Sequence, residues 1–273
     1  MFSFLRYIKS ISPNFFLPAW LLLGVIYRYI IKNLKINFYV NQKISNYGPF
    51  KIHCFFAFSS FVKWGSEKKS IFPLMMKKCR NKKCIVDIGA HIGLMTLPLS
   101  LESKKDSKII SFEPSNINRK FLKLHISKNK IKNVEVESKL VGEKNNKGVL
   151  FYESNIPTGM NSIINFKNKK LFKKKLKEQI SLDNFLIKRN FKPDLIKIDA
   201  EGSEIFILKG AIKIILKYKP DIFLSIHKKH FEMLGINKNE LFKILKKINY
   251  NIKDSSNNFS RNIESNEYYL YSK

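Results

Sequence analysis

The stretch Cys84-Ile85-Val86-Asp87-Ile88-Gly89-Ala90-His91-Ile92-Gly93 constrains this chain more than any other. It reads as a buried β-strand that ends in a carboxylate and a glycine turn. A helix pattern follows near 92–102, then a second strand over 108–113 that closes on Glu113. Strand, glycine turn, helix and an acid at the tip of the next strand make a nucleoside-binding half-site, because ligands of open α/β sheets sit beyond the carboxyl ends of the strands. Asp87, Gly89, Ala90, His91 and Gly93 occupy that position. Gly89 permits a tight turn with close backbone approach, and Gly93 lets the helix start against the sheet. Glu113 can accept hydrogen bonds from both ribose hydroxyls.

The turn also discriminates between cofactors. A dinucleotide site reads G-x-G-x-x-G, with the middle glycine clearing space for the pyrophosphate. Here that glycine is missing. S-adenosylmethionine has no pyrophosphate and places an amino acid and a sulfonium in that space, where Asp87 can face the ammonium. S-adenosylmethionine is therefore the expected cofactor.

A second stretch, Asp194-Leu195-Ile196-Lys197-Ile198-Asp199-Ala200-Glu201-Gly202-Ser203-Glu204, ends a later strand in carboxylates. His227 ends the strand after it. Asp199, Glu201 and His227 are the candidate catalytic groups, able to provide a base with an orienting partner. Simpler roles stand beside these. Asp199 can be a helix N-cap, Glu201 and Glu204 first-turn acids, and His227 a loop histidine. Two carboxylates and an imidazole would suit a divalent metal, but the spacing requires none and no metal is expected. Lys197, inside the strand, should form a structural ion pair with a carboxylate such as Asp183 or Glu204. His53 and His125 have no chemical context in the sequence.

The rest of the pattern alternates strands and helices, which implies a doubly wound, mainly parallel α/β sheet. Residues 1–47 form an N-terminal apolar and basic extension, 48–80 a strand and helix lead-in, and 81–273 the main domain. A third strand is expected over 133–141, turning at Lys147-Gly148 into an antiparallel strand over 149–153. Residues 155–180 read as a long loop carrying the basic run Lys167 to Lys177. Ile205, Leu208, Ile212 and Ile215 mark one face of a single helix. A further helix is expected near 238–248 and a last strand near 267–272.

Lys+Arg of 51 against Asp+Glu of 21 gives a net charge of +30. Such a balance points to anionic partners, yet only six of the 51 are arginine, the side chain suited to gripping phosphate and reading bases. Nucleic acid is not the expected partner, and RNA methylation would need aromatic stacking groups that are absent. Three cysteines (Cys54, Cys79, Cys84) make no even framework and no C-x-x-C pair, which fits a reducing, cytoplasmic setting. The apolar run 15–27 is shorter than the roughly 20 residues a membrane span needs. Residues 15–31 should either lie in a membrane interface beside anionic lipid or pack on the main domain.

The motifs VDIGAHIG, SFEP and IKIDAEGSEIFILKGA, in this order, resemble those of the FkbM family of S-adenosylmethionine-dependent methyltransferases, over roughly residues 80–230. The resemblance implies the class I methyltransferase (Rossmann-like) fold, with a seven-stranded sheet whose last strand is antiparallel. It implies O-methylation of a hydroxyl on a sugar, glycolipid or other complex natural product. It places Asp87, Gly89, Ala90 and Gly93 beside the methionine part, with Glu113 and the adjoining Pro114 at the ribose. His91 departs from the family, which more often shows asparagine there. The competing reading is a non-enzymatic basic module that binds anionic membrane or nucleic acid.

Overall fold

The computed structural model describes residues 17–65, 70–165, 172–237, 239–263 and 266–273. At its centre is strand β3 (Cys84–Ile88), where every residue after Cys84 is buried. β4 (Lys108–Phe112) and β5 (Val134–Glu137) lie in parallel on one side of it. On the other side are β9 (Leu195–Ile198) and β10 (Asp221–Ser225), also parallel. The sheet ends with β12 (Glu267–Ser272), antiparallel to both β10 and the edge strand β11 (Tyr250–Asp254). The order is β11-β12-β10-β9-β3-β4-β5. Seven strands with only the last in sequence reversed is the expected sheet.

Two-residue alternation divides the sheet's side chains between two cores. Val86, Ile88, Ile110, Phe112, Ile196, Ile198, Ile222 and Leu224 face one way. There they meet helices α5 (Leu182–Lys188), α6 (Glu204–Lys209), α7 (Ile212–Tyr218) and α9 (Asn239–Ile248). Ile85, Ile109, Leu195 and Phe223 face the other way, onto α2 (Phe72–Cys79) and α3 (Thr96–Glu102). Full burial of each such aliphatic side chain contributes about 1.5–3 kcal/mol. Helix α4 (Asn116–Lys128) packs beside α3 under a hairpin of β1 (Tyr39–Ile44) and β2 (Tyr47–His53). The hairpin straddles residue 47, so the extension and the lead-in share it.

Three expectations change, and two histidines without chemical context gain a structural role. Residues 133–141 are not one strand: β5 stays in the main sheet, while Leu140–Gly142 (β6) starts a second, three-stranded sheet. Asn146–Ser154 (β7) pairs with β8 (Phe172–Ser181), so the supposed long loop contains a ten-residue strand. Lys173, Lys174, Lys175 and Lys177 lie in this strand, and their lack of apolar alternation hid it; 166–171 lie outside the described residues. The Ile205-to-Ile215 helix is broken into α6 and α7 at Gly210, which caps α6 and where a Cβ would come within 2.1 Å of the Gly142 carbonyl. Finally, His53 and His125 are structural. His125 Nδ1 donates to the Ile92 carbonyl and its Nε2 accepts from the His53 amide, tying the hairpin to α4 and the glycine turn.

The apolar segment forms helix α1 (Leu17–Asn33). Gly24 and Ile31 are buried, the Tyr27 hydroxyl donates to the Cys54 carbonyl at 2.9 Å, and the Tyr27 ring meets Phe58. Among the described residues no helix is long and apolar enough to cross a membrane.

Candidate active site

The carboxyl ends of β3, β4 and β9 open into a cleft whose free space, mouth included, is about 960 Å³. Gly89, Ala90, His91, Glu113 and Pro114 line it together with Asp199, Ala200 and Glu201, as do Asn118, Val141, Phe151 and Asn161. Gly89 is fixed by two requirements. Its φ is +78°, and a Cβ would come within 1.7 Å of the Asp199 carbonyl oxygen. The two sequence stretches therefore touch through backbone. Gly93, at φ +100°, packs on Leu122 and Leu97 behind the cleft wall rather than in it.

Glu113 is buried at the tip of β4. Its Oε2 accepts the His91 amide at 2.7 Å and its Oε1 the Ser115 amide at 2.9 Å, leaving further lone pairs toward the cleft. Burial raises its carboxyl to about 7, against the lowering effect of those amides and of Lys197 and Arg119. His91 sits in the left-handed region, with φ +52°, where histidine and asparagine are tolerated better than most residues. Burial and the Lys197 charge lower its imidazole to about 4, so it is neutral, and its Nε2 is buried without a hydrogen-bond partner among the described residues.

Asp87 does not face the cleft. Its side chain is fully buried, accepts the Thr96 hydroxyl at 2.7 Å and lies 3.1 Å from Lys197 Nζ. The register explains this pairing, since Asp87 and Lys197 are cross-strand partners of β3 and β9. Lys197 thus pairs with Asp87, not Asp183 or Glu204, and donates to the Ile88 and Gly89 carbonyls as well. Although burial opposes it, the charges of Asp87, Asp199 and Glu113 hold the ammonium above its ordinary pKa. Asp183 instead caps α7 by accepting the Lys213 and Ile214 amides.

Asp199, Glu201 and His227 do converge. His227 Nε2 lies 3.6 Å from Asp199 Oδ1 and 3.4 Å from Glu201 Oε1. Asp199 is not a helix cap; Ser203 holds that position in α6. Glu201 takes φ +49° and Gly202 φ +105°, and the Ser162 hydroxyl donates to the Glu201 carbonyl at 2.6 Å. Two further residues, not counted among the candidate catalytic groups in the sequence, join this cluster. Glu204, fully buried, accepts from His227 Nδ1 at 2.8 Å and from the Ala200 and Gly202 amides. His230, from helix α8 (Lys228–Met233), places Nδ1 3.5 Å from Glu201 Oε2. The E-G-S-E and H-K-K-H spacings were visible, but only the fold brings the two segments together. Burial lowers the His227 pKa, but the hydrogen bond and charge of Glu204 and the charges of Asp199 and Glu201 outweigh it and raise the pKa to about 9.

A second cleft meets the first. It shares Trp64, Met95, Lys197 and Asp199 with it, and extends past Phe72, Ser225, Asp254, Ser256 and Glu267. Asp199 stands at the junction.

A reversed last strand beside six parallel ones, a glycine turn and a buried acid at the tip of the neighbouring strand define a class I methyltransferase fold. Residues 87–252 match the sequence model of the methyltransferase FkbM domain. The chain belongs to this family. Among solved structures it is similar to methyltransferase FkbM from Methylobacillus flagellatus KT, at 21% identity and a TM-score of 0.45, covering 70% of this chain and 44% of that one. It thus spans less than half the length of that relative. It is also similar to an O-methyltransferase from Bacillus cereus in complex with SAH, at 11% identity over 100% of both chains with a TM-score of 0.42. The O-methyltransferase TomG from Streptomyces achromogenes, in complex with SAM, matches at 9% identity over 76% of this chain and 79% of that one, with a TM-score of 0.41. No curated protein matches the chain.

Proposed function

We propose that this methyltransferase transfers the methyl group of S-adenosylmethionine to a hydroxyl of a saccharide, glycolipid or other small molecule. The observation that carries the reading is the position of Asp199, an accessible carboxylate where the two clefts meet. The cofactor fits the first cleft. Gly89 leaves the turn without a Cβ, Glu113 offers free lone pairs for ribose hydroxyls, and His91 Nε2 is a buried polar atom awaiting a partner. Bound there, S-adenosylmethionine supplies an electrophilic methyl group. The acceptor enters by the second cleft, whose aromatic and polar lining suits a polyhydroxylated ligand.

Transfer to oxygen is an in-line displacement in which the hydroxyl loses its proton as the new C–O bond forms. Asp199 takes that proton. Glu201 and His227 stand behind it, and Glu204 fixes the imidazole by accepting from Nδ1. Titration calorimetry with S-adenosylmethionine should show binding in the micromolar range, and absence of binding up to millimolar concentration overturns the cofactor assignment. A screen of labelled methyl transfer against cell-envelope saccharides tests the acceptor class; label appearing only on nitrogen acceptors or nucleic acid refutes it.

The reading extends to a membrane surface. The face of α1 opposite Gly24 and Ile31 exposes Leu22, Val25, Ile26, Tyr29 and Ile30, with Arg28, Lys32 and Lys35 close by in sequence. An apolar stripe flanked by cations matches the shape of an interfacial helix. Helix α1 both packs on the domain and keeps this face outward.

A further inference from the structure

We propose that Glu201, His227 and His230 bind one divalent transition-metal ion beside Asp199. Each offers a ligand atom, and these atoms lie within 4.8 Å of one another. Glu201 Oε1 is 3.4 Å from His227 Nε2, and Glu201 Oε2 is 3.5 Å from His230 Nδ1. Both separations exceed the 2.7–2.9 Å or so of charge-assisted hydrogen bonds. They match instead the spacing of neighbouring atoms held at about 2.0–2.2 Å from a shared ion.

The backbone is arranged to hold the cluster. Glu201 is turned inward by its left-handed conformation and by the Ser162 hydrogen bond. Gly202 makes room for His230, because a Cβ there would lie 3.0 Å from the His230 Cβ. The two imidazoles stack nearly parallel, 18° apart with centroids at 5.3 Å, so that both can address the same carboxylate. Behind them, Glu204 accepts from His227 Nδ1 at 2.8 Å. That bond keeps one ring proton on Nδ1, so that an ion at Nε2 would take the place of the other, the carboxylate–histidine arrangement that orients metal-bound imidazoles.

Two imidazoles and one carboxylate favour zinc, manganese, iron(II) or cobalt over magnesium and calcium, which prefer all-oxygen sites. Three protein ligands leave coordination positions open. The metal's role, as distinct from its binding, rests on the methyl-transfer reading: an acceptor hydroxyl on the ion would be acidified next to Asp199, which lies 3.6 Å from His227 Nε2. In the sequence, Asp199, Glu201 and His227 were the set that would suit a metal, and their spacing required none; the cluster in the structure has His230 in place of Asp199.

Cobalt(II) tests the site directly through its visible absorption. Titration of the untagged, chelator-treated chain with Co²⁺ alone should give saturable bands at one ion per chain, with micromolar affinity. His230→Gln and Glu201→Gln should each weaken this at least tenfold while the circular dichroism spectrum is retained. Saturation absent up to millimolar Co²⁺, or an unchanged affinity in folded His230→Gln, overturns the site. Where a variant fails to fold, histidine-ring NMR of the wild-type chain decides: Zn²⁺ must shift the ring signals of His227 and His230, and a shift confined to other histidines refutes the proposal. S-adenosylmethionine binding is measured in the same preparation. Cofactor binding without Co²⁺ binding removes the metal alone; Co²⁺ binding without cofactor binding removes the methyl-transfer reading alone.

Discussion

The Glu204 carboxylate meets His227 Nδ1 at 2.8 Å through one oxygen, while its other oxygen is buried without a hydrogen-bond partner among the described residues. A single Oε1 therefore serves the imidazole and the Ala200 and Gly202 amides together. Such an arrangement fixes the ring and the 199–204 turn in one geometry. Glu204→Gln keeps the shape but places an amide NH₂ where no acceptor waits, at a cost of about 1–3 kcal/mol. Methyl transfer should fall about 10–100-fold, the range seen when a supporting partner of a functional histidine is lost. Affinity for S-adenosylmethionine should remain within about twofold, since Glu204 lies outside the cofactor cleft. Steady-state kinetics with parallel calorimetry checks this; equal losses of turnover and cofactor affinity would show a purely architectural role.

Cofactor affinity should depend on pH through Glu113. Burial holds this carboxyl near 7, so below that pH it is largely protonated and loses acceptor capacity toward ribose hydroxyls. Affinity should fall by up to about tenfold per pH unit below 7 and level off above it. The same shift acts on stability with the opposite sense. A carboxyl that is more basic when folded than when unfolded favours the folded state at low pH, and this contribution is lost as pH rises from the ordinary glutamate range through about 7. Calorimetric titrations between pH 5.5 and 8.5 would reveal the slope, and Glu113→Gln should flatten it.

Gly89→Ala should be among the most damaging single substitutions in the chain. The added methyl would meet the Asp199 carbonyl oxygen at 1.7 Å, in backbone, and the φ of +78° is strained for any residue with a Cβ. No flexible side chain can yield there, so β3 and β9 must separate. A loss of about 3–5 kcal/mol is expected, together with loss of cofactor binding. Thermal unfolding of this variant beside Gly159→Ala, where an added Cβ meets open space, provides the control.

Lys197→Met should destabilise by about 3–5 kcal/mol, because it leaves the fully buried Asp87 without its cation. The double variant Lys197→Met with Asp87→Leu should recover much of that loss, which denaturant unfolding can measure. Recovery would show that the pair orders the sheet beneath the cleft rather than acting on substrate.

These residues also show what was legible in the sequence. The β3-to-β4 unit was readable because its chemistry is local: strand, turn, helix and acid follow one another, and Gly89 and Glu113 fell where expected. Asp87 was misassigned because its partner is set by the register of β3 against β9, which joins residues far apart in the chain. Glu204 and His230 were overlooked for the same reason, since their roles exist only once α8 lies over the 199–204 turn. Strand β8 was missed because its pairing with β7 supplies the stability that its lysine-rich sequence conceals.

The last expectation concerns α1. Its outward face carries Leu22, Val25, Ile26 and Tyr29, at 60%, 56%, 45% and 69% exposure, unusually open for large apolar side chains one turn apart along a helix. The chain's +30 charge adds long-range attraction to anionic lipid. Binding to vesicles containing phosphatidylserine should exceed binding to neutral phosphatidylcholine vesicles and weaken as salt rises, since screening shortens the reach of the charge to about 8 Å at physiological ionic strength. Leu22→Glu with Ile26→Glu should reduce vesicle binding at least tenfold while leaving the melting temperature unchanged, because neither side chain is among those that seat the helix. Charge alone would leave the double variant bound at low salt, in which case sedimentation with vesicles would assign the contact to the lysine surface and not to the helix.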